Sequence, residues 1–169
     1  MPMLHTVMSR TPPPPVLQSA RVVSYAFVDD LEYRRHGALI VGGQLVEKAP
    51  QLAICINLGK DIGPMLFHCD EQWEVLGTSG GGTIEAVKER AEKNYPGVGP
   101  RWIDVNTSVE DALRYYDEET GGACCSFCRK RPFEVDEWIE GEYATICRTC
   151  VEEFHRGFGE SDDSSNESG

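Results

Sequence analysis

The sequence is short of positive charge, of long apolar runs and of any segment built to enter a membrane. Sixteen Lys and Arg stand against 28 Asp and Glu, a formal charge of −12. A surface of that sign repels phosphate backbones and anionic lipid, which argues against a generic grip on nucleic acid or membrane. No apolar run reaches the ~18 residues of a bilayer span, and the longest candidate, residues 37–46, is broken by glycines. Residues 1–10 lack the basic flank and apolar core of a signal peptide. A reducing, cytoplasmic setting follows as the expectation, and there clustered cysteines hold metal more often than they form disulfides. Seven cysteines, an odd number, cannot all pair within one chain.

What is present divides along the 169 residues. Residues 1–20 hold four consecutive prolines at 12–15 and no hydrophobic period, which predicts an extended, disordered Pro-rich arm. From residue 21 the signals turn to short strands at 22–28, 38–41, 44–47, 52–58, 65–69 and 73–76, separated by Gly, Asp and Pro turns. The last two read as a hairpin. A helix opens at Thr83 with Ile84, Val87, Ala91 and Tyr95 on one face, and Pro96-Gly97 stops it. A second follows the capping-box pattern Thr107-Ser108-Val109-Glu110, with a short strand at 102–105 between the two. These elements predict an α+β domain over 21–119, a small mixed sheet with two helices. Gly121-Gly122 separates it from a cysteine cluster at 124–158, and residues 159–169 read as a disordered acidic tail.

Five of the seven cysteines lie in that cluster. Cys125 and Cys128 form one C-x-x-C pair; after eighteen residues, Cys147 and Cys150 form another. Each pair grips one edge of a tetrahedral ion, and four thiolates satisfy Zn²⁺ with no position left for water or substrate. The predicted site is therefore one structural zinc held by Cys125, Cys128, Cys147 and Cys150, with no catalytic residues. A module of ~35 residues is too small to fold on its core alone, so metal and folding are expected to go together. Cys124 is an alternative to Cys125 in the first pair, and His155 is a further possible donor. The two-residue spacing favours Cys125.

The stretch Cys-Ser-Phe-Cys, the eighteen-residue gap with Gly141 inside it, and Ile-Cys-Arg-Thr-Cys-Val-Glu at 146–152 resemble the ClpX-type C4 zinc-binding domain. That resemblance covers residues 124–158. It implies a treble clef, in which a knuckle carries Cys125 and Cys128 and a hairpin leads to a helix bearing Cys147 and Cys150. It also implies dimerisation and capture of protein partners or unfolded peptide through exposed apolar surface. No Walker A motif accompanies it, so ATP-driven unfolding is not expected of this chain.

Other candidates read as structural. The glycine-rich segment 77–83 lacks the Lys of a phosphate loop and is expected to be a strand-to-helix turn. His68 and Cys69 would face opposite sides of a strand, which suits no Cys–His pair, and Cys55 and Cys69 read as core thiols. Arg129, Lys130 and Arg131 form one dense basic cluster, but residues 124–156 carry five bases against seven acids. The expected function is a zinc-binding protein-interaction module, a homodimer or a docking site serving as adaptor or decoy in Clp-type proteolysis. The alternative is a nucleic-acid-binding regulator using Arg129, Lys130 and Arg131.

Overall fold

A computed structural model describes residues 10–34, 40–41, 44–45 and 48–159. The chain forms two compact units, residues 1–112 and 113–169. The division falls within a helix, earlier than the Gly121-Gly122 pair suggests.

The first unit is built on a six-stranded sheet. Its strands are β1 (Val16–Leu17), β2 (Ala20–Phe27), β5 (Gln51–Asn57), β6 (Pro64–Cys69), β7 (Val75–Gly80) and β8 (Ile103–Asp104). They run in the order β1-β2-β5-β6-β7, with β8 also pairing to β2. Every pairing is antiparallel, so the expected mixed sheet is corrected to an antiparallel one. The physical reason is that β1–β2, β5–β6 and β6–β7 are joined as hairpins, and the helical connection after β7 brings β8 back beside β2 in the opposite direction. Strands β3 (Ile40–Val41) and β4 (Gln44–Leu45) form a separate antiparallel ribbon. The remainder of the expected strands at 38–41 and 44–47 lies outside the described residues.

Residues 10–20 depart from the expected arm. Val16 and Leu17 are buried in β1, which turns into β2 through Gln18-Ser19, with Gln18 at φ 55°. The extended geometry of four prolines delivers the chain straight into sheet pairing, and Pro15 O accepts from Val22 N at 3.0 Å. Thr11 O accepts from Trp73 Nε1 at 2.9 Å. Residues 1–9 and the acidic stretch from 160 lie outside the described residues.

Alternation along β5 and β6 builds two apolar layers, one on each sheet face. Leu52, Ile54 and Leu66 point to one; Ala53, Cys55, Phe67 and Cys69 point to the other. Helix α1 (Ile84–Asn94) covers the first face with Val87, Ala91 and the adjoining Tyr95. Thr83 caps it as expected, its hydroxyl accepting from Ala86 N at 3.2 Å. Beyond the helix, the Glu92 carboxylate accepts from Gly97 N and Gly99 N at 2.7 and 2.8 Å, and Gly97 takes φ 94°. The second face packs Leu17, Val22 and Phe67 with Trp73, whose ring meets Tyr25 edge-on at 5.7 Å.

A bulge between Val22 and Ser24 shifts the β2–β5 register by one residue. Before it Ala20 and Val22 serve the Trp73 layer; after it Ala26 serves the α1 layer while Tyr25 and Phe27 pack on the Trp73 side. The second expected helix is α2 (Val109–Glu119). Its cap sits one residue later than the sequence pattern suggested. The Ser108 hydroxyl accepts from Asp111 N at 3.0 Å and donates to the Asp111 carboxylate at 2.7 Å, so Asp111 takes the role expected of Glu110.

His68 is buried on the α1 face, its ring 6.5 Å from that of Tyr95. Burial lowers its pKa from 6.5 to about 4, so it is neutral in the folded chain at pH 7. Between those two values the unfolded chain holds a proton that the folded chain refuses, and stability falls as pH falls through that window. The full effect is worth up to about 3 kcal/mol. Asp30, held down to about 2 by Arg101, loses its stabilising charge below that window and is separable from it. Denaturant titrations of the first unit between pH 6.5 and 4 are expected to give a shallower slope for His68→Gln than for the parent; equal slopes would refute the assignment.

Candidate metal centre

In the second unit the sequence spends few apolar residues and many on local turns. Cys125 to Cys128 form a tight knuckle, closed by Arg129 N donating to Cys125 O at 3.0 Å and Cys125 N to Lys130 O at 2.8 Å. Arg129 sits at φ 64°, the left-handed conformation that the turn demands. The 3₁₀ turn Pro132–Glu134 follows. Next come the antiparallel hairpin β9 (Trp138–Glu140) and β10 (Thr145–Cys147) and the helix α3 (Arg148–Gly159).

Ser126 ties the knuckle to the hairpin: its N–H donates to Thr145 O at 2.8 Å and its hydroxyl accepts from Thr145 N at 3.0 Å. Cys147 ends β10, and Cys150 lies in the first turn of α3. Knuckle, strand end and helix start thus point four sulfurs at one spot.

The Sγ atoms of Cys125, Cys128, Cys147 and Cys150 all lie within 4.8 Å of one another. Cys125 and Cys150 are 3.8 Å apart, and Cys128 and Cys147 are 3.7 Å apart. A tetrahedron with Zn–S bonds of about 2.3 Å has edges of about 3.8 Å, so the spacing fits zinc. The donor set fits as well, being all thiolate. Val135, Trp138 and Ile146 pack around Cys125, Cys147 and Cys150, while Cys128 is exposed.

Electrostatics pull Cys125 and Cys150 in opposite directions. The backbone N–H of Cys128, with those of Cys147 and Phe127, favours the Cys125 thiolate and pulls its pKa well below the ordinary thiol range. Burial pushes Cys150 the other way, reinforced by the neighbouring sulfurs. A divalent charge at the centre favours the thiolate at all four positions. Zinc bound there would supply no chemistry to a substrate; it would cross-link knuckle, hairpin and helix.

The remaining sequence candidates fall elsewhere. Cys124 is half-buried and outside the four-sulfur set. His155 is exposed on α3 and is not among the clustered donors. Cys55 and Cys69 are buried in the sheet, where burial raises both thiols, Cys69 to about 12. His68 and Cys69 do face opposite sides of β6, and Asp70 serves its turn by accepting from Gln72 N and Glu74 N at 2.9 Å each. Of the glycine-rich segment, Gly77 to Gly80 belong to β7, leaving a shorter turn than the sequence suggested.

The basic cluster is partly spent inside the unit. Arg131 makes two 2.7 Å bonds to the Asp117 carboxylate on α2, and its backbone N donates to Glu134 Oε2 at 2.7 Å. Arg148 pairs with Glu137 across the hairpin. Neither ion pair has a sequence signal, since no fixed spacing announces partners 14 and 11 residues apart.

Residues 123–157 match the ClpX C4-type zinc finger. The match covers about a fifth of the chain, and the rest has no family match. No curated protein and no solved structure matches the chain. The match lies within the second unit, and its four cysteines are the four brought together, consistent with one structural Zn²⁺.

Proposed function

We propose that the protein is a zinc-stabilised interaction protein, in which the ClpX-type finger, folded as a treble clef, dimerises or docks a protein partner or unfolded peptide. The observation that carries this reading is an apolar face beside the metal centre. Val151, Phe154 and Phe158 recur along α3 at helical spacing and are 40%, 42% and 79% exposed. Phe127 of the knuckle, 55% exposed, meets Phe154 edge-on with ring centres 5.0 Å apart. Exposed aromatics gathered on one helix face are a feature of interaction surfaces. A closed four-thiolate site leaves zinc no open position, so the reading assigns the finger no catalysis.

In this reading the protein works in a reducing compartment as an adaptor or decoy of Clp-type proteolysis. A nucleic-acid role would rest on Arg129 and Lys130, since Arg131 is engaged with Asp117. Analytical ultracentrifugation of the zinc-loaded protein tests the proposal. The parent is expected to sediment as a dimer at micromolar concentration, with Phe154→Glu shifting it to monomer while zinc content is kept. A monomeric parent that also binds no unfolded polypeptide would overturn the reading.

A further inference from the structure

The first unit carries a cavity of about 310 Å³, far along the sequence from the cysteine cluster and lined by Arg10, Phe27, Asp29, Gln51, Glu71 and Gln72 among others. Its size is that of a small-ligand pocket. The chain already shows how one kind of group sits there. The Arg10 guanidinium lies over the Phe27 ring, 5.3 Å from its centre, and its Nη2 donates to both Asp29 oxygens at 2.8 and 3.0 Å. An aromatic face and a carboxylate together make a guanidinium cradle.

Charge and hydrogen bonding decide what the rest of the cavity would accept. Arg10 is the one cation lining the cavity among the described residues, and Asp29 neutralises it, with an Asp30 oxygen 3.8 Å from the same guanidinium. That leaves the exposed Glu71 carboxylate with no partner among the described residues. Gln51 is 7% exposed; its Nε2 donates to Glu71 O at 3.4 Å, and its Oε1 is buried without a hydrogen bond among the described residues. The Gln51 oxygen is closed off from solvent, so the unused group open to the cavity is the Glu71 carboxylate, and the unbalanced charge is negative. Loop geometry adds to this: Trp73, directly after Glu71-Gln72, is held at φ 66° by the Asp70 turn, which fixes the wall that presents Glu71.

We propose that this cavity is a binding site for a guanidinium group, with the Glu71 carboxylate as acceptor and Phe27 as the apolar floor. Arg10 acts there as a tethered competitor. The guanidinium could belong to a free small molecule or to an arginine side chain of a bound peptide, and the same chemistry serves both.

The test uses the full-length, zinc-loaded protein in calorimetric titrations with agmatine, an acetylated Gly-Arg-Gly amide and its citrulline counterpart. Saturable binding is expected at ligand concentrations up to about 10 mM. Agmatine binding as tightly as the peptide assigns a free guanidino compound, and binding of the peptide alone assigns an arginine side chain. Glu71→Gln, a change at an exposed side chain, is expected to weaken binding about twofold to fivefold. Arg10→Ala is expected to tighten it by vacating Phe27 and Asp29. No saturation by either guanidinium probe, equal binding of the citrulline peptide, or unchanged affinity in both variants would overturn the proposal.

Discussion

Removing zinc, or replacing Cys128 by Ser, is expected to unfold the ClpX-type finger while the six-stranded sheet keeps its fold. Cys128 is the exposed member of the four, so the substitution takes away a ligand and little packing. Among the described residues only Val135, Trp138 and Ile146 pack against the buried cysteines, and all three are half-buried. So small a core cannot offset the ordering entropy of its residues. Zinc binding to such modules is worth on the order of 10–16 kcal/mol at neutral pH, which makes folding and metal uptake one event. Elemental analysis is expected to give about one zinc per chain in the parent, the number one tetrahedral site holds, and a clear loss in Cys128→Ser. Amide resonances of residues 123–157 should collapse in the variant while those of β2, β5 and β6 stay dispersed. Collapse of both sets, or of neither, would contradict a metal-dependent finger beside an independent sheet.

The converse substitution is Phe67→Ala. Phe67 is 1% exposed and stands on β6, in the layer shared by Cys55, Cys69 and Trp73. Truncating a buried aromatic removes its transfer free energy and leaves a void that strands pinned on both sides cannot close, typically about 3–5 kcal/mol. Set against a total stability of about 5–15 kcal/mol for a domain, that is a large share. Chemical denaturation followed through the first unit should show a midpoint lowered accordingly, with zinc content unchanged. A loss below about 1 kcal/mol would mean that the layer repacks freely and is no true core.

The metal centre was legible in the sequence because its chemistry is written in spacing. Two C-x-x-C pairs eighteen residues apart name four donors without reference to anything else, and those are the sulfurs that gather. The elements with local signals were legible too: Thr83 and Pro96-Gly97 bound α1, and alternation marks β2, β5 and β6. What depends on distant partners was not. The prolines at 12–15 read as a solvated arm, because nothing local reveals that Trp73 bonds to Thr11 or that Val16 and Leu17 have a strand to pair with. Arg131 read as part of a basic patch, because its partner Asp117 lies beyond a glycine turn. The bulge in β2 was hidden for a subtler reason. Even-numbered residues remain the more buried ones from Ala20 to Ala26, so the alternation runs on unbroken while the layer that receives them changes.

That change of layer bears on cooperativity. An ordinary strand gives one residue parity to each face, and in principle one face can loosen while the other holds. Here the buried residues of one strand change sides, Ala20 and Val22 entering the Trp73 layer and Ala26, with the following Val28, the α1 layer. Loosening either layer frees part of β2 and, with it, pairing that the other layer needs against β5. The sheet is thereby expected to open as a single unit, with the amides of β2 and β5 exchanging with solvent only when both faces let go together.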